Sequence, residues 1–363
     1  MKKKNNKLNL IICGFAFVVM LVYIFCFDGV ENLVRSITTV NFGFLLLAVC
    51  CIFGYWLLEA ITLHISAKSL APQVRFKDSL FVTVIGQYFN CITPFASGGQ
   101  PMQAYYYVKR GIPLSAAMTA LISRFIVYQF VLTVYSVVFL VFKLPMFREG
   151  EFKGLTVLVI IGFLINTAVI LLLFMVSFFR RPTTKLAHGV VYLLGKLRIF
   201  KNPKEKMIAV DQTLEQYYDH FLFIKSKPLL ILKMCGLTFA QLFLYFSITY
   251  VIYLGFGMNE TDLFTIIACQ SFVLMISSFV PLPGALGAAE GSYAAFFSGI
   301  FGNYTGFSTF VWRFLTFYLP ILIGLGINLY LTRRGRENFD DMRQNSESRE
   351  CVNSPKKPEN DPR

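Results

Sequence analysis

Two short stretches, TPFASGGQP at 93–101 and PLPGALGAAEG at 281–291, interrupt long apolar segments with prolines and glycines. Each stretch lies between two apolar runs, the first within 78–110 and the second within 263–303. Proline ends a helix because it lacks a backbone N–H donor, and glycine allows the chain to turn. The pattern therefore predicts two broken helices, with the breaks at Pro94, Pro101, Pro281 and Pro283.

The composition places these breaks in a membrane protein. Of the 363 residues 56% are hydrophobic and only 15% are charged, whereas a soluble domain carries about 25% charged residues. A helix needs roughly 20 apolar residues to cross the ~30 Å hydrocarbon layer. Six runs are long enough to be full spans, and we interpret the first as a retained signal anchor: 8–27, 40–64, 115–142, 155–179, 228–254 and 309–331.

The two broken segments are predicted to be re-entrant helical hairpins. Broken helices are tolerated at membrane depth only where protein or a water-filled cavity surrounds them. If each hairpin returns to the side it entered and the N-terminus is cytoplasmic, 28 of the 34 basic residues face the cytoplasm. If each hairpin crossed once, the ten basic residues of 180–227 would lie outside, against the positive-inside rule. We therefore expect an all-α polytopic membrane protein with six spans, two hairpins and both termini in the cytoplasm.

An internal repeat accompanies the breaks. A shift of 189 residues places Pro94 on Pro283, Gly98 on Gly287 and Arg124 on Arg313. Three crossings per half is an odd number, so the halves are expected to be inverted, as in many secondary transporters. The predicted organisation is one membrane domain with a cytoplasmic insertion and a disordered tail: domain 1–332, repeat one 8–142, repeat two 155–331, insertion 180–227, tail 333–363.

Arg124 and Arg313 are basic residues deep within spans, whereas Lys233 lies at the inner end of its span. An arginine deep within a span costs about 2.5–3.5 kcal/mol on insertion scales unless it finds a partner or water. In one interpretation both guanidinium groups face the hairpins and bind an anionic group such as a phosphate through forked hydrogen bonds. In the other they are structural ties to hairpin carbonyls or to a buried acid.

Two acidic residues and several polar groups complete the candidate site. Glu290 either caps the helix after the second break or pairs with Arg313, and the alternative is a proton or cation-headgroup site. Glu59 is a secondary candidate that either reaches the interface or takes part in the site. Backbone N–H groups at the glycines of the breaks attract anions, and these glycines are Gly98, Gly99, Gly284 and Gly287. Gln100 and Gln103 either add neutral donors or join helices.

Other classes of site are not expected. Eight cysteines include no C-x-x-C pair, three histidines are scattered, and no phosphate loop of a soluble nucleotide enzyme is present. We expect no metal, cofactor, nucleic acid or catalytic residue. The insertion contains KLAHGVVYLLGKLRIF at 185–200, typical of an interfacial helix, and a second helix is predicted from Pro203 to about Ile224. This insertion lies on anionic lipid or docks a partner.

The motifs resemble those of a known family. TPFASGGQP-M-QAY, PLPGALGAAEG and WRFLTFYLP look like signature segments of the lysylphosphatidylglycerol synthase transmembrane region family, whose stand-alone members are called flippase-like or UPF0104 proteins. The resemblance covers roughly 8–332 and implies an eight-helix-type domain with two re-entrant elements that flips a phospholipid. Its motif positions correspond here to Pro94, Gly98, Gly99, Pro283, Gly284, Gly287, Glu290, Trp312 and Arg313. The chain departs from the family pattern at Gln100, Gln103 and Ser123.

The function expected from residues and resemblance together is lipid translocation in a bacterial inner membrane. The substrate would be an anionic or aminoacylated phospholipid, and a separate lipid-modifying enzyme would act in trans. One alternative is a phosphatidylglycerol lysyltransferase or its membrane subunit, linked to antimicrobial-peptide resistance. The synthase domain that this requires is expected to be absent, because the chain ends 32 residues after Leu331. A second alternative is a secondary transporter of a small anion. The oligomeric state is not predicted.

Overall fold

The structure is a computed structural model that describes residues 29–142, 156–196, 203–278 and 280–327. Every regular element in these ranges is helical. The expected first span at 8–27 and the expected tail at 333–363 lie outside the described residues.

The first part of the chain forms five helices around one sharp break. Asn41 caps the second helix, where its side chain accepts a hydrogen bond from the Gly43 N–H at 2.9 Å. The third helix ends before Pro94, and a 3₁₀ turn at Pro94–Ala96 leads into the fourth. The helices are α1 (Gly29–Thr39), α2 (Phe42–Leu70), α3 (Phe76–Ile92), α4 (Gly99–Lys109) and α5 (Leu114–Phe142).

The second part repeats this order after a helical insertion. Proline occupies the first helical position of both α8 and α9, where its missing N–H has no partner to lose. A 3₁₀ turn at Pro283–Ala285 separates α10 from α11, and α12 continues through a π-helical turn at Phe314–Tyr318 as far as residue 327. The helices are α6 (Thr156–Phe178), α7 (Arg180–Lys196), α8 (Pro203–Lys225), α9 (Pro228–Gly255), α10 (Leu263–Ser278), α11 (Ala288–Phe301) and α12 (Thr305–Arg313).

The chain is a multi-pass membrane protein. Among the described residues four helical segments are long and apolar enough to cross a bilayer: Phe42–Leu70, Leu114–Phe139, Pro228–Gly255 and Pro283–Ile327. The first three coincide with predicted spans, and the fourth contains most of the span predicted at 309–331. The count of six spans, the re-entrant hairpins and the side of the termini remain predictions.

The outer surface of α2 is that of a helix in lipid. Its buried face packs against α9, the most extensive helix pair in the structure, and Gly54 allows close approach there because a side chain would meet Leu244. Its other face exposes large apolar side chains, as a helix does when lipid replaces water around it. These exposed residues are Phe42, Leu46, Leu47, Phe53 and Leu57.

The two breaks share a left-handed backbone conformation at two equivalent positions. Phe95 and Ala96 have φ angles of 54° and 51°, and Gly284 and Ala285, which lie 189 positions later, have 59° and 53°. Residues other than glycine rarely adopt this left-handed region, at a cost of about 1–3 kcal/mol, so the surrounding structure must hold it. The breaks also contact each other. The two interruptions seen in the sequence therefore meet inside the fold.

The π-helical turn after α12 is the surface on which both breaks pack. Phe317 and Tyr318 form a buried cluster with Tyr88 and Ile92 at the end of α3. On the other side the Phe317 ring lies so close to Gly284 that any added Cβ would overlap it, and Gly284 also needs its positive φ. Glycine at this position avoids the overlap with Phe317, and it adopts the positive φ without steric cost.

Candidate functional site

Arg313, the last residue of α12, is held by the second break. Its Nε donates to Glu290 Oε1 at 2.6 Å, and its Nη2 donates to the carbonyl oxygen of Gly284 at 2.9 Å. The guanidinium also lies over the rings of Trp312 and Phe317, at 5.4 and 5.1 Å. The side chains of Arg313 and Glu290 are both 6% exposed. Their ion pair is therefore enclosed by protein, and it joins α12 to the second break.

Glu290 performs both contacts anticipated for it. Its Oε2 accepts the Gly287 N–H at 2.7 Å while its Oε1 binds Arg313. Glu290 is the third residue of α11, where a carboxylate satisfies an unpaired N–H of the first turn. The helix begins at Ala288, so Glu290 lies in its first turn. Both carboxylate oxygens of Glu290 are therefore used within the protein.

Arg124 is paired with Glu59, a partner that sequence reasoning did not assign. Arg124 Nη1 lies 3.0 Å from Glu59 Oε1, and Gln87 Nε2 donates to Glu59 Oε2 at 2.6 Å. The side chains of Arg124 and Glu59 are 10% and 3% exposed, so Glu59 does not extend to the interface. The available signal was charge balance, since each predicted half contains one intramembrane arginine and one intramembrane acid.

A row of tyrosines lies between the first ion pair, Arg124–Glu59, and the second ion pair, Arg313–Glu290. Tyr55 and Tyr128 share a side-chain hydrogen bond and interact electrostatically with both members of the first pair. The Tyr55 ring is 5.2 Å from that of Tyr245. Tyr245 shares a hydrogen bond with Thr316 and interacts electrostatically with Arg313. The two ion pairs are therefore linked by adjacent polar side chains from α2, α5 and α9.

The N–H groups at the first break already have acceptors. Gly98 N donates to Thr93 Oγ1 at 2.8 Å, and Gly99 N donates to Asn90 Oδ1 at 3.1 Å. Gly99 must remain glycine because a Cβ would overlap the Asn90 side chain and come within 2.8 Å of the Gly86 carbonyl oxygen. In this conformation the backbone donors predicted to attract an anion close the turn instead.

The remaining candidates occupy different surroundings. Gln103 is buried and packs on Gly86, whereas Gln100 is half-buried. Pro94, Pro101 and Pro281 are exposed, and Pro283 is half-buried. The anion-binding role assigned to Arg124, Arg313 and the break residues remains a prediction.

A cavity of about 540 Å³ lies elsewhere, between the end of α5, α9 and the start of α10. Its walls are mainly aromatic and aliphatic, with Asp262 as the one acidic lining residue, and they contain none of the candidate site residues. The described residues also contain no group of three His, Cys, Asp or Glu side chains placed to hold a metal ion. The chemistry available at the breaks is that of two arginines, two carboxylates, amides and phenols.

Comparison with known proteins agrees with the membrane architecture. The family model described as lysylphosphatidylglycerol synthase TM region matches residues 11–324. A UPF0104 membrane protein of Methanothermobacter thermautotrophicus is 24% identical over 353 residues, which cover 93% of this chain and 99% of the relative. An uncharacterized protein of Mycoplasma pneumoniae is 23% identical over 345 residues, covering 84% of this chain and 82% of the relative.

Proposed function

Because this chain belongs to the lysylphosphatidylglycerol synthase TM region family, we propose that it translocates an anionic or aminoacylated phospholipid between the leaflets of a bacterial inner membrane. The observation that carries the proposal is the meeting of two broken helices inside the fold, with one buried arginine–glutamate pair at the second break and another that joins α2 to α5. Broken helices in membranes are stable only where they are enclosed or line a polar passage, and such elements form the substrate site of many transporters.

The proposed topology has six spans, two re-entrant hairpins and both termini in the cytoplasm. The segments α3–α4 and α10–α11 are the hairpins, and the inverted halves 8–142 and 155–331 rock against each other to alternate access. The repeated backbone at the breaks supports this arrangement, because equal conformations 189 residues apart are expected of a duplicated element. Within it, 1–332 is one membrane domain with the insertion 180–227, and 333–363 is a tail.

The substrate headgroup would be recognised by charge. A phosphodiester presents two oxygens in a plane, which matches the forked donors of a guanidinium. The acyl chains would remain in the bilayer alongside exposed apolar helix faces such as that of α2. The proposal needs no catalytic residue in this chain, and a lipid-modifying enzyme acting in trans would supply aminoacylated substrate.

A leaflet-exchange assay tests the proposal. Purified protein is reconstituted with fluorescent phosphatidylglycerol, lysyl-phosphatidylglycerol or polyprenyl phosphate, and an impermeant quencher reports the outer fraction over time. We expect protein-dependent exchange of at least one of these lipids, reduced about tenfold or more by Arg124→Gln and unchanged by Arg35→Gln, which alters an exposed arginine.

Three other outcomes would contradict lipid translocation. Exchange no faster than in protein-free vesicles for all three lipids would refute it. Uptake of labelled inorganic phosphate without lipid exchange would favour a small-anion transporter. A new aminoacylated lipid in cells that express this chain alone would favour a lysyltransferase.

A further inference from the structure

The two buried arginines differ in how completely they are hydrogen-bonded. Arg313 uses Nε and Nη2 for Glu290 and the Gly284 carbonyl, and two aromatic rings flank its guanidinium. Arg124 contacts Glu59 through Nη1, but its Nε is buried and has no hydrogen-bond partner among the described residues. An unpaired buried donor is costly, so Arg124 retains capacity for one more acceptor while Arg313 serves as a brace.

The unused Nε of Arg124 is one arm of the fork that binds an oxyanion. Nε–H and an adjacent Nη–H point in parallel, the geometry with which arginine holds two oxygens of a phosphate. In the present conformation Glu59 occupies Nη1. Nη1 lies on the side of the guanidinium away from the Nε–H, so a phosphodiester on Nε and Nη2 would join Glu59 as a second anion on Arg124.

Glu59 and the phosphate would then share one counter-charge. Glu59 is 2% exposed, and Gln87 is its remaining hydrogen-bond donor among the described residues. The titratable groups around it are Arg124 and Tyr128 from α5, Tyr55 from its own helix and Tyr245 next to them on α9. Arg124 is the one cation in this group. A buried group of two anions and one cation takes up a proton because an uncompensated charge is too costly in an apolar interior.

We propose that Glu59 is the proton-carrying residue of a proton–anion symport site, in which binding of a phosphate-bearing lipid at Arg124 is coupled to protonation of Glu59. This inference rests on the proposed function and adds its energy source. The charge balance is simple: the empty site holds Arg124 cation and Glu59 anion, and the loaded site holds Arg124 cation, phosphate anion and neutral Glu59. Both states have zero net charge, so one proton accompanies each anion and transport is electroneutral.

A hydrogen-bonded row of side chains leads to this site. His64 Nδ1 lies 3.3 Å from Ser79 Oγ, which accepts a hydrogen bond from Tyr107 Oη at 2.9 Å. Tyr107 lies close enough to Arg124 for electrostatic interaction, whereas His64 is half-buried near the end of α2. Glu290 is a poor carrier by comparison with Glu59, because it caps α11 as well as holding Arg313.

Proton uptake on binding tests the coupling in the purified full-length protein. Dihexanoyl phosphatidylglycerol is added to protein in weakly buffered detergent with a pH indicator, and calorimetry measures the amount bound. We expect about one proton taken up per anion bound, and none for zwitterionic dihexanoyl phosphatidylcholine. Glu59→Gln should bind without proton uptake, whereas Glu31→Gln, at an exposed position on α1, should behave as wild type.

The wild-type protein in vesicles provides a test that needs no variant. For one-to-one electroneutral coupling, a difference of one pH unit should sustain about a tenfold lipid ratio favouring the alkaline-side leaflet, because one unit equals a tenfold equilibrium constant. A potassium diffusion potential without a pH gradient should leave the ratio near one. Lipid exchange or binding without these proton effects would overturn the coupling and leave the translocator proposal intact. Absence of both binding and exchange would overturn the two together.

Discussion

At the scale of the residue, the molecule separates two arginines that look equivalent in sequence. Arg313 and Arg124 lie 189 positions apart and each has a buried acid. The acids are not equivalent, because Glu290 belongs to α11, directly after the second break, and Glu59 belongs to α2. As a result Arg313 connects the second break to α12, whereas Arg124 connects α5 to α2. Breaking either pair leaves an uncompensated buried charge.

Replacement of Arg313 should therefore destabilise the protein. Arg313→Gln leaves Glu290 buried without its cation and the Gly284 carbonyl without its donor, and we expect a loss of about 3–5 kcal/mol in the free energy of unfolding. Denaturant titration in detergent measures it. Arg180→Gln is the matched control, since the Arg180–Glu215 pair spans 3.2 Å with side chains about 60% exposed and should contribute less than about 1 kcal/mol. Equal losses in the two variants would contradict the bracing role.

At the scale of the element, the insertion helices are attached to the core at α5. Tyr218 and Phe221 of α8 pack on Ile122 and Ile126 of α5. These isoleucines lie two residues before and two residues after Arg124 in the sequence. Besides any contact of the basic surface of α7 and α8 with anionic lipid, the insertion thus makes a hydrophobic contact with a core helix. A helix of this polarity depends on such tertiary packing for its stability.

Truncation of Phe221 in this contact should lower the local stability of α8 alone. Phe221 is 9% exposed and its neighbour Leu222 is 59% exposed. We expect Phe221→Ala to speed amide hydrogen exchange across Pro203–Lys225 by about tenfold, equivalent to roughly 1.4 kcal/mol of local stability. Leu222→Ala removes similar volume from the exposed face and should change exchange less than twofold. Similar rates in both variants would show that α8 is not held at Phe221.

At the scale of the whole molecule, the proposed topology determines which loops share a side of the membrane. The loop after α2 and the loop after α4 should face the same compartment if α3–α4 returns, and the loop after α9 should face the other. Gln73, Gly111 and Asn259 are exposed positions in these three loops, which makes them suitable reporters.

Cysteine accessibility tests this arrangement in intact cells. In a background without native thiols, Gln73→Cys and Gly111→Cys should be protected from an impermeant maleimide until the membrane is opened, whereas Asn259→Cys should react at once. The physical reason is that basic residues remain in the cytoplasm during insertion. Labelling of Gln73→Cys and Gly111→Cys from opposite sides would mean that α3–α4 crosses the membrane and that the hairpin topology is wrong.

Much of the architecture was readable from local sequence. The break at Pro94–Ala96 and the break at Pro283–Ala285 fall within the two Pro/Gly stretches, because proline and glycine act on the backbone where they stand. The helix from Pro203 was predicted to end near Ile224 and ends at Lys225. The family inferred from the motifs is confirmed by the match over residues 11–324. Length and apolar content similarly identified three of the four described spans.

The partners of the charged residues could not be read in this way. A buried guanidinium selects its partner by three-dimensional proximity, and Glu59 is 65 positions from Arg124. The π-helical turn at Phe314–Tyr318 and the tyrosines between the ion pairs have no local signature either.

The sequence by itself determined that this chain is a helical membrane protein with two interruptions and two buried arginines, since hydropathy, helix breaking and desolvation cost depend on residue type. Only the tertiary structure decided that the interruptions meet, that Glu290 saturates Arg313, and that Arg124 pairs with Glu59 while its Nε stays unpaired. The physical reason is that in a low-dielectric interior the state of a charge depends on the atoms that surround it, and packing supplies those atoms from distant parts of the chain.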